Sequence, residues 1–218
     1  MKKLYLIPGL GSDKRIYDPY LPVEGYDSEV IELIDANNET DWEEYIQLYL
    51  NRIDQDQDFS LVGISFGGII CSELSQRCSP EKVVYISTIK NSSEKPWFIR
   101  LGRYLPLHKL IPGQWLIDIH VWRFKRLRNL SKAKDRFTIM IDMAQKTKPH
   151  FISWVTNRVV KWNFKGEAGS YSHIHGTRDL LFPIRRIKNA IPVSGGSHLV
   201  VMFQRKKIKE LLDKALTD

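Results

Sequence analysis

Residues 59–68 read Phe59-Ser60-Leu61-Val62-Gly63-Ile64-Ser65-Phe66-Gly67-Gly68. The apolar run from Phe59 to Ile64 has the make-up of a strand buried on both faces. From Phe66 to about Arg77 the pattern changes at once to that of a helix. With no linker between the two periods, Ser65 must sit in a tight strand-to-helix turn, inside a G-x-S-x-G pattern formed by Gly63 and Gly67. Side chains at 63 and 67 would collide with backbone in such a turn. The positive amino end of the following helix would face whatever the serine hydroxyl attacks.

Outward from this turn, strand and helix patterns alternate. Leu4–Ile7 is a short buried strand that stops at Pro8-Gly9, and Ser28–Ile34 is a second strand. Thr40 and Glu43 have capping-box spacing. The helix they would open places Trp42, Tyr45, Ile46, Tyr49, Leu50 and Ile53 on one face. Lys82–Ser87, Tyr171–His175 and Ala190–Val193 are further strands. A closing helix carries Ile208, Leu211, Leu212, Ala215 and Leu216 on one stripe. The order implies an α/β fold, an open and mainly parallel sheet of about six strands with flanking helices. Residues 91–165 are helical throughout in pattern, with stripes at Phe137, Met140, Ile141 and Ala144 and at Phe151, Trp154, Val155, Val159 and Trp162. They are expected to form a helical cap inserted into a core made of residues 1–90 and 166–218.

The chain has 218 residues, a length one core can serve. No apolar run reaches the roughly 18–20 residues of a membrane span. The amino terminus begins like a signal peptide, but its apolar stretch is short, breaks at Pro8-Gly9 and lacks a cleavage site, so a cytoplasmic location is expected. Cys71 and Cys78 fall in one helix pattern at no metal or redox spacing and are expected to be reduced core thiols. The net charge of +8 is unevenly spread. Residues 91–165 hold sixteen Lys and Arg against four Asp and Glu, a net of +12, and the rest of the chain stands at −4. The same segment carries five of the six tryptophans, Trp97, Trp115, Trp122, Trp154 and Trp162.

A serine hydroxyl needs a base to become a nucleophile. Of six histidines, His198 lies in a loop after a strand, in Gly195-Gly196-Ser197-His198, just before the last helix. His108, His120 and His150 lie in the basic helical block, and His173 reads as structural. His175, at a strand end, is the competing base. Asp179, in the loop after His175-Gly176-Thr177-Arg178, is placed to orient His198 and to stabilise its imidazolium. Turn closure is the plainer role for an Asp at that position. Ser12 and Asp13 read as helix-capping residues.

Three motifs together resemble the α/β-hydrolase family, in its compact bacterial form: Pro8-Gly9-Leu10-Gly11, Gly63-Ile64-Ser65-Phe66-Gly67-Gly68, and His175-Gly176-Thr177-Arg178-Asp179 with Gly196-Ser197-His198. The resemblance implies Ser65 as nucleophile, His198 as base and Asp179 as acid. It implies an oxyanion hole from the Leu10 and Phe66 amides, and cleavage of an ester, thioester or amide through an acyl-enzyme. Carboxylic-ester hydrolysis is the expected activity, with no metal and no cofactor. A thioesterase or acyltransferase with the same triad, and a ligand-binding protein on this scaffold, are the alternatives. One departure stands out, because Pro8 occupies the place where the family often has His.

The basic segment admits three explanations. Lysines and arginines on a solvated surface are the default. A small anionic acyl substrate, or peripheral contact with an anionic membrane, comes next. Nucleic acid ranks last, since no nucleic-acid fold signature accompanies the charge. Trp115–Leu130 shows no single clean apolar face. No feature sets the oligomeric state.

Overall fold

The computed structural model describes residues 1–217. Its six strands are β1 (Lys2–Ile7), β2 (Tyr26–Val30), β3 (Phe59–Ile64), β4 (Lys82–Ile86), β5 (Tyr171–Gly176) and β6 (Ala190–Val193). They make one open sheet in the order β2-β1-β3-β4-β5-β6, and every neighbouring pair is parallel. The α/β architecture expected from the alternation of patterns is the one observed.

Strand β3 is central and buried at every residue, which accounts for its continuous apolar run. Alternate side chains serve two cores. Tyr5, Ile7, Leu61, Val83 and Tyr85 pack with α1 (Trp42–Leu50) and α2 (Phe66–Leu74). Leu4, Leu6, Val62, Ile64, Val84 and Ile86 pack on the other face with Ile208, Leu212 and Ala215 of the closing helix. Each such aliphatic side chain taken from water contributes about 1.5–3 kcal/mol.

Four helices stand between β4 and β5: α3 (Trp97–Leu101), α4 (Gly113–Leu130), α5 (Lys134–Lys146) and α6 (Pro149–Lys161). After β6 come α7 (Val200–Phe203) and α8 (Arg205–Thr217). The expected stripe on α5 is buried, with Met143 added to it. On α6 the buried residues are Phe151, Ile152, Trp154, Val155 and Val160, and Val159 is partly buried against the same cluster as Phe151, Trp154 and Val155.

Four local expectations are corrected. The cap of α1 is Asp41 with Glu44, one residue along from Thr40 and Glu43. Thr40 Oγ1 instead accepts the Asn37 amide and closes the preceding turn. Strand β2 begins at Tyr26 and ends at Val30, because its neighbour β1 stops at Ile7, before the Pro8 ring that carries no amide proton. Cys78 lies past the end of α2, although both thiols are free and buried. Residues 102–112 are not α-helical, holding only a 3-10 turn at Leu107–Leu110 between Pro106 and Pro112.

Candidate active site

The order of strands reverses between β1 and β3: the chain runs outward from β1 to β2, then crosses back to β3 and on to β6. In open parallel sheets the crevice beyond the carboxyl ends at such a reversal is where ligands bind. Pro8-Gly9-Leu10 leaves β1 and Ser65 leaves β3 at that point.

Ser65 has φ +50° and ψ −114°, in the half of backbone space that L-residues avoid. Such strain costs on the order of 1–3 kcal/mol and persists only where surroundings over-determine it. Here the Ser65 amide donates to the Ile86 carbonyl at 3.0 Å, and the Ser65 carbonyl accepts from the Gly68 amide at 3.0 Å and from Thr88 Oγ1 at 2.6 Å. The glycines supply the room. A Cβ on Gly63 would lie 2.5 Å from the Gly68 Cα, and one on Gly67 would strike the Ile7 and Pro8 carbonyls. Backbone therefore packs on backbone between β3, α2 and the first loop, and the serine is held out from the sheet, half-buried.

Ser65 Oγ lies 3.0 Å from His198 Nε2, and His198 Nδ1 lies 2.8 Å from Asp179 Oδ2. An ionised carboxylate can only accept, so Nδ1 carries the proton and Nε2 is free to accept from the hydroxyl. Asp179 is buried, and its Oδ1 takes the Leu181 and Phe182 amides at 2.9 Å each. Burial alone would push this carboxyl's pKa up. The contacts from His175 and His198 and the Phe182 amide outweigh it and hold the group well below the usual carboxylate range. Asp179 thus closes a turn and meets His198 at once, so the two roles weighed for it coexist.

The competing histidine falls elsewhere. His175 is fully buried, and its Nε2 lies 2.7 Å from the Phe182 carbonyl and 3.3 Å from Asp179 Oδ2. Both neighbours are acceptors, so Nε2 carries the proton, and Nδ1 has no partner among the described residues. His175 approaches the carboxylate that His198 uses and makes no hydrogen bond to Ser65.

Phe66 opens α2, and neither its amide nor that of Leu10 donates to another group among the described residues. A Cβ on Gly9 would lie 3.2 Å from the Ser65 Cβ, so the first loop passes directly beside the serine. Two side chains support that loop. Ser12 donates to the Gly9 carbonyl from both Oγ, at 2.6 Å, and its amide, at 3.1 Å. Tyr17, fully buried, donates to the Ile7 carbonyl at 2.8 Å. Asp13 caps the short turn Lys14–Ile16. Thr88 and Tyr17 escaped the sequence analysis, since neither lies in a motif; the buried strand ends beside them were the only available signal.

Above this edge, Ile117, Val121 and Phe124 of α4 join the apolar cluster that Leu10 and Leu199 border. His120 of the same helix is close enough to His198 for their charges to interact. On the opposite face, Glu73 of α2 accepts the indole protons of Trp42 at 3.0 Å and Trp162 at 2.7 Å, tying the end of α6 to the helix behind Ser65. Two surface hollows are lined by neither Ser65 nor His198. One, of about 210 Å³, adjoins Gly11, Ser12 and Asp13, and the other, of about 600 Å³, lies at the amino ends of the strands near Met1, Lys2 and Gly25. Ser65, His198 and Asp179 converge at the carboxyl edge, outside both hollows.

No protein-family model matches the chain, and no curated protein does. Solved structures do. MenH from S. aureus superposes with a TM-score of 0.71 at 15% identity, over 99% of this chain and 93% of that one. A carboxylesterase structure from the thaumarchaeon Nitrososphaera gargenis gives 0.73 at 17%, over 99% and 90%. An alpha/beta hydrolase fold protein from Burkholderia ambifaria gives 0.66 at 13%, over 97% and 89%. The chain has the α/β-hydrolase fold.

Proposed function

We propose that this chain is a serine hydrolase that cleaves carboxylic esters. The supporting observation is the unbroken hydrogen-bonded series from Ser65 Oγ through His198 to a buried, ionised Asp179. In this reading His198 Nε2 takes the hydroxyl proton as Ser65 Oγ attacks the ester carbonyl. The Leu10 and Phe66 amides bind the oxyanion of the tetrahedral intermediate. His198 then gives its proton to the departing alcohol, leaving an acyl group on Ser65. A water molecule, deprotonated by the same nitrogen, releases the acid and restores the hydroxyl. Asp179 stays ionised throughout and stabilises the imidazolium formed in each half-reaction. Residues 91–165 act as a cap on a core of residues 1–90 and 166–218, and the cap closes the acyl site.

The similar carboxylesterase and esterase structures have a fold compatible with this activity, but a fold hosts many activities, and the proposal rests on the site. A fluorophosphonate probe should label the protein once, on Ser65, and turnover of p-nitrophenyl esters should stop in step with labelling. A label found on another residue, or active protein that resists the probe, would sink the assignment. Acyl-thioesters run beside the esters would show whether the preferred leaving group is a thiol.

A further inference from the structure

Helix α4 carries apolar side chains on two opposite faces. Ile117, Val121 and Phe124 are buried toward the core. Trp115, Ile119, Trp122 and Leu130 fall at i, i+4, i+7 and i+15, half a turn away from them, and all four are exposed. Two opposed stripes cancel in any one-face plot, which is why the sequence shows no clean amphipathic face here. Trp97, Leu101, Tyr104, Leu107 and Leu110, on α3, the 3-10 turn and the chain between them, are exposed as well, and α3, that turn and α4 all pack on α6. Burying these groups in the fold would have contributed stability, yet Tyr104, Leu110 and Leu130 are 78%, 77% and 79% exposed. An apolar surface of this extent on a folded chain marks an interaction site.

Charge identifies the occupant. Arg123, Lys125 and Arg126 flank or lie within the exposed stripe, with Arg126 stacked over the Trp122 ring at 5.7 Å, and Arg100, Arg103 and Lys109 accompany the preceding turns. The segment's net charge of +12 would repel a second copy docking through the same face. A nucleic acid would satisfy the charge but leave Leu107, Leu110 and Leu130 without apolar partners. A surface with phosphates outside and hydrocarbon beneath satisfies both sets of groups, and tryptophan and tyrosine are the residues favoured at that boundary. We propose that the outer face of α3–α4 docks this protein on anionic lipid bilayers, with Trp115 and Trp122 at the headgroup level and the flanking arginines and lysines on lipid phosphates. No helix of the described residues is long and apolar enough to cross a membrane, so the attachment is peripheral. This inference uses none of the catalytic residues and stands apart from the proposed hydrolysis.

Sedimentation with vesicles tests it, using the catalytically silent Ser65→Ala protein so that lipid cleavage cannot intrude. The protein should pellet with phosphatidylglycerol–phosphatidylcholine vesicles at low salt and stay in the supernatant with phosphatidylcholine alone. Each cation near such a surface strengthens partitioning about fivefold, so replacing Arg123, Lys125 and Arg126 by Gln should weaken it by roughly 10²-fold. Trp115→Ser with Trp122→Ser should weaken it as well and reduce the quenching of tryptophan emission by brominated lipid. Circular dichroism of each variant must match the parent. Absence of binding to anionic vesicles at low salt would overturn the proposal, as would binding that these substitutions leave unchanged. A dimer that both sets of substitutions dissolve, without lipid binding, would overturn it in favour of self-association.

Discussion

The turn around Ser65 and the helix α4 that lies above it are built on opposite principles. At the turn, backbone packs against backbone, each glycine has a neighbour waiting where its Cβ would be, and a strained serine is held by four hydrogen bonds to its backbone. On α4 one apolar face is satisfied by the core while the other meets solvent. The turn is over-determined and tolerates almost no change. The outer face of α4 contributes little to folding and is free to be shaped by what it touches. Substitutions at the first should therefore act on chemistry or folding by orders of magnitude, and those at the second on partner binding, with chemistry nearly intact.

The sharpest contrast comes from the acid. Asp179→Asn should fold yet lose about 10⁴-fold in kcat, as when the equivalent group of a serine protease is made neutral and the histidine takes the wrong tautomer. A loss below tenfold would mean that another carboxylate orients His198. In the parent protein Asp179 is held below the ordinary carboxylate range, so it stays ionised as pH falls. The acid limb of kcat/KM should accordingly follow a single protonation, with a slope of one. A slope of two would show that Asp179 titrates as well.

Gly67→Ala comes next, and its effect should be on folding. The new methyl has only the fixed Ile7 and Pro8 carbonyls to meet, so a loss of about 3 kcal/mol or more in unfolding free energy is expected. Ile119→Ala on the outer face of α4 should change stability by less than about 0.5 kcal/mol. Equal losses in chemical denaturation would erase the distinction between the two regions.

A smaller effect belongs to His175. Replacing it by Phe removes a donor to the shared carboxylate while keeping an aromatic ring. Kcat should fall by roughly 10–100-fold with KM little altered, in keeping with the worth of one hydrogen bond to a charged group. His198→Ala should cost far more. Should the two variants exchange ranks on one substrate, the assignment of the base to His198 fails.

The smallest effect concerns substrate charge. With a basic helix over the site, kcat/KM for an anionic ester should exceed that for a neutral one of similar size by a few-fold at low salt. That preference should fade as ionic strength brings the screening length to about 8 Å. A preference indifferent to salt would remove the cap's charge from substrate capture.

How much was legible follows the same division. Strands β3 and β6 fell on their expected residues; Phe59–Ile64 is buried on both faces and leaves no competing pattern, whereas β6 is a partly buried edge strand. The hydrogen-bonded series from Ser65 to Asp179 joins residues chosen for their place at strand ends, where topology rather than spacing brings them together. What was not legible depended on contacts between distant segments. The partnership of His175 with Asp179 requires the loop to fold back through Phe182, and the support of Ser65 by Thr88 requires β4 to lie beside β3. The shifted cap of α1 turned on whether Thr40 would serve its own helix or the preceding turn. The exposed stripe of α4 was hidden because its buried counterpart lies in the same residues at the opposite phase.

Lys95 gives the insertion a mechanical character. It is buried where the chain leaves the core, and its ammonium donates to the carbonyls of Val160 and Trp162, where the chain returns. Burial, with Arg103 and Arg100 nearby, pushes its pKa down to about 8, so around neutrality it remains a cation gripping the end of α6. Lys90, also buried, holds Glu94 and the Lys188 carbonyl a few residues before. The outgoing and incoming strands of chain are thus buckled together at the root, as a strap is closed at its base. A rigid swing of all four helices about that root would have to strip a buried ammonium of its acceptors. Farther out, between Gly102 and Pro112, the chain forms only a 3-10 turn with exposed apolar side chains, and among the described residues no buried cation of this kind lies there, so the tie belongs to the root alone.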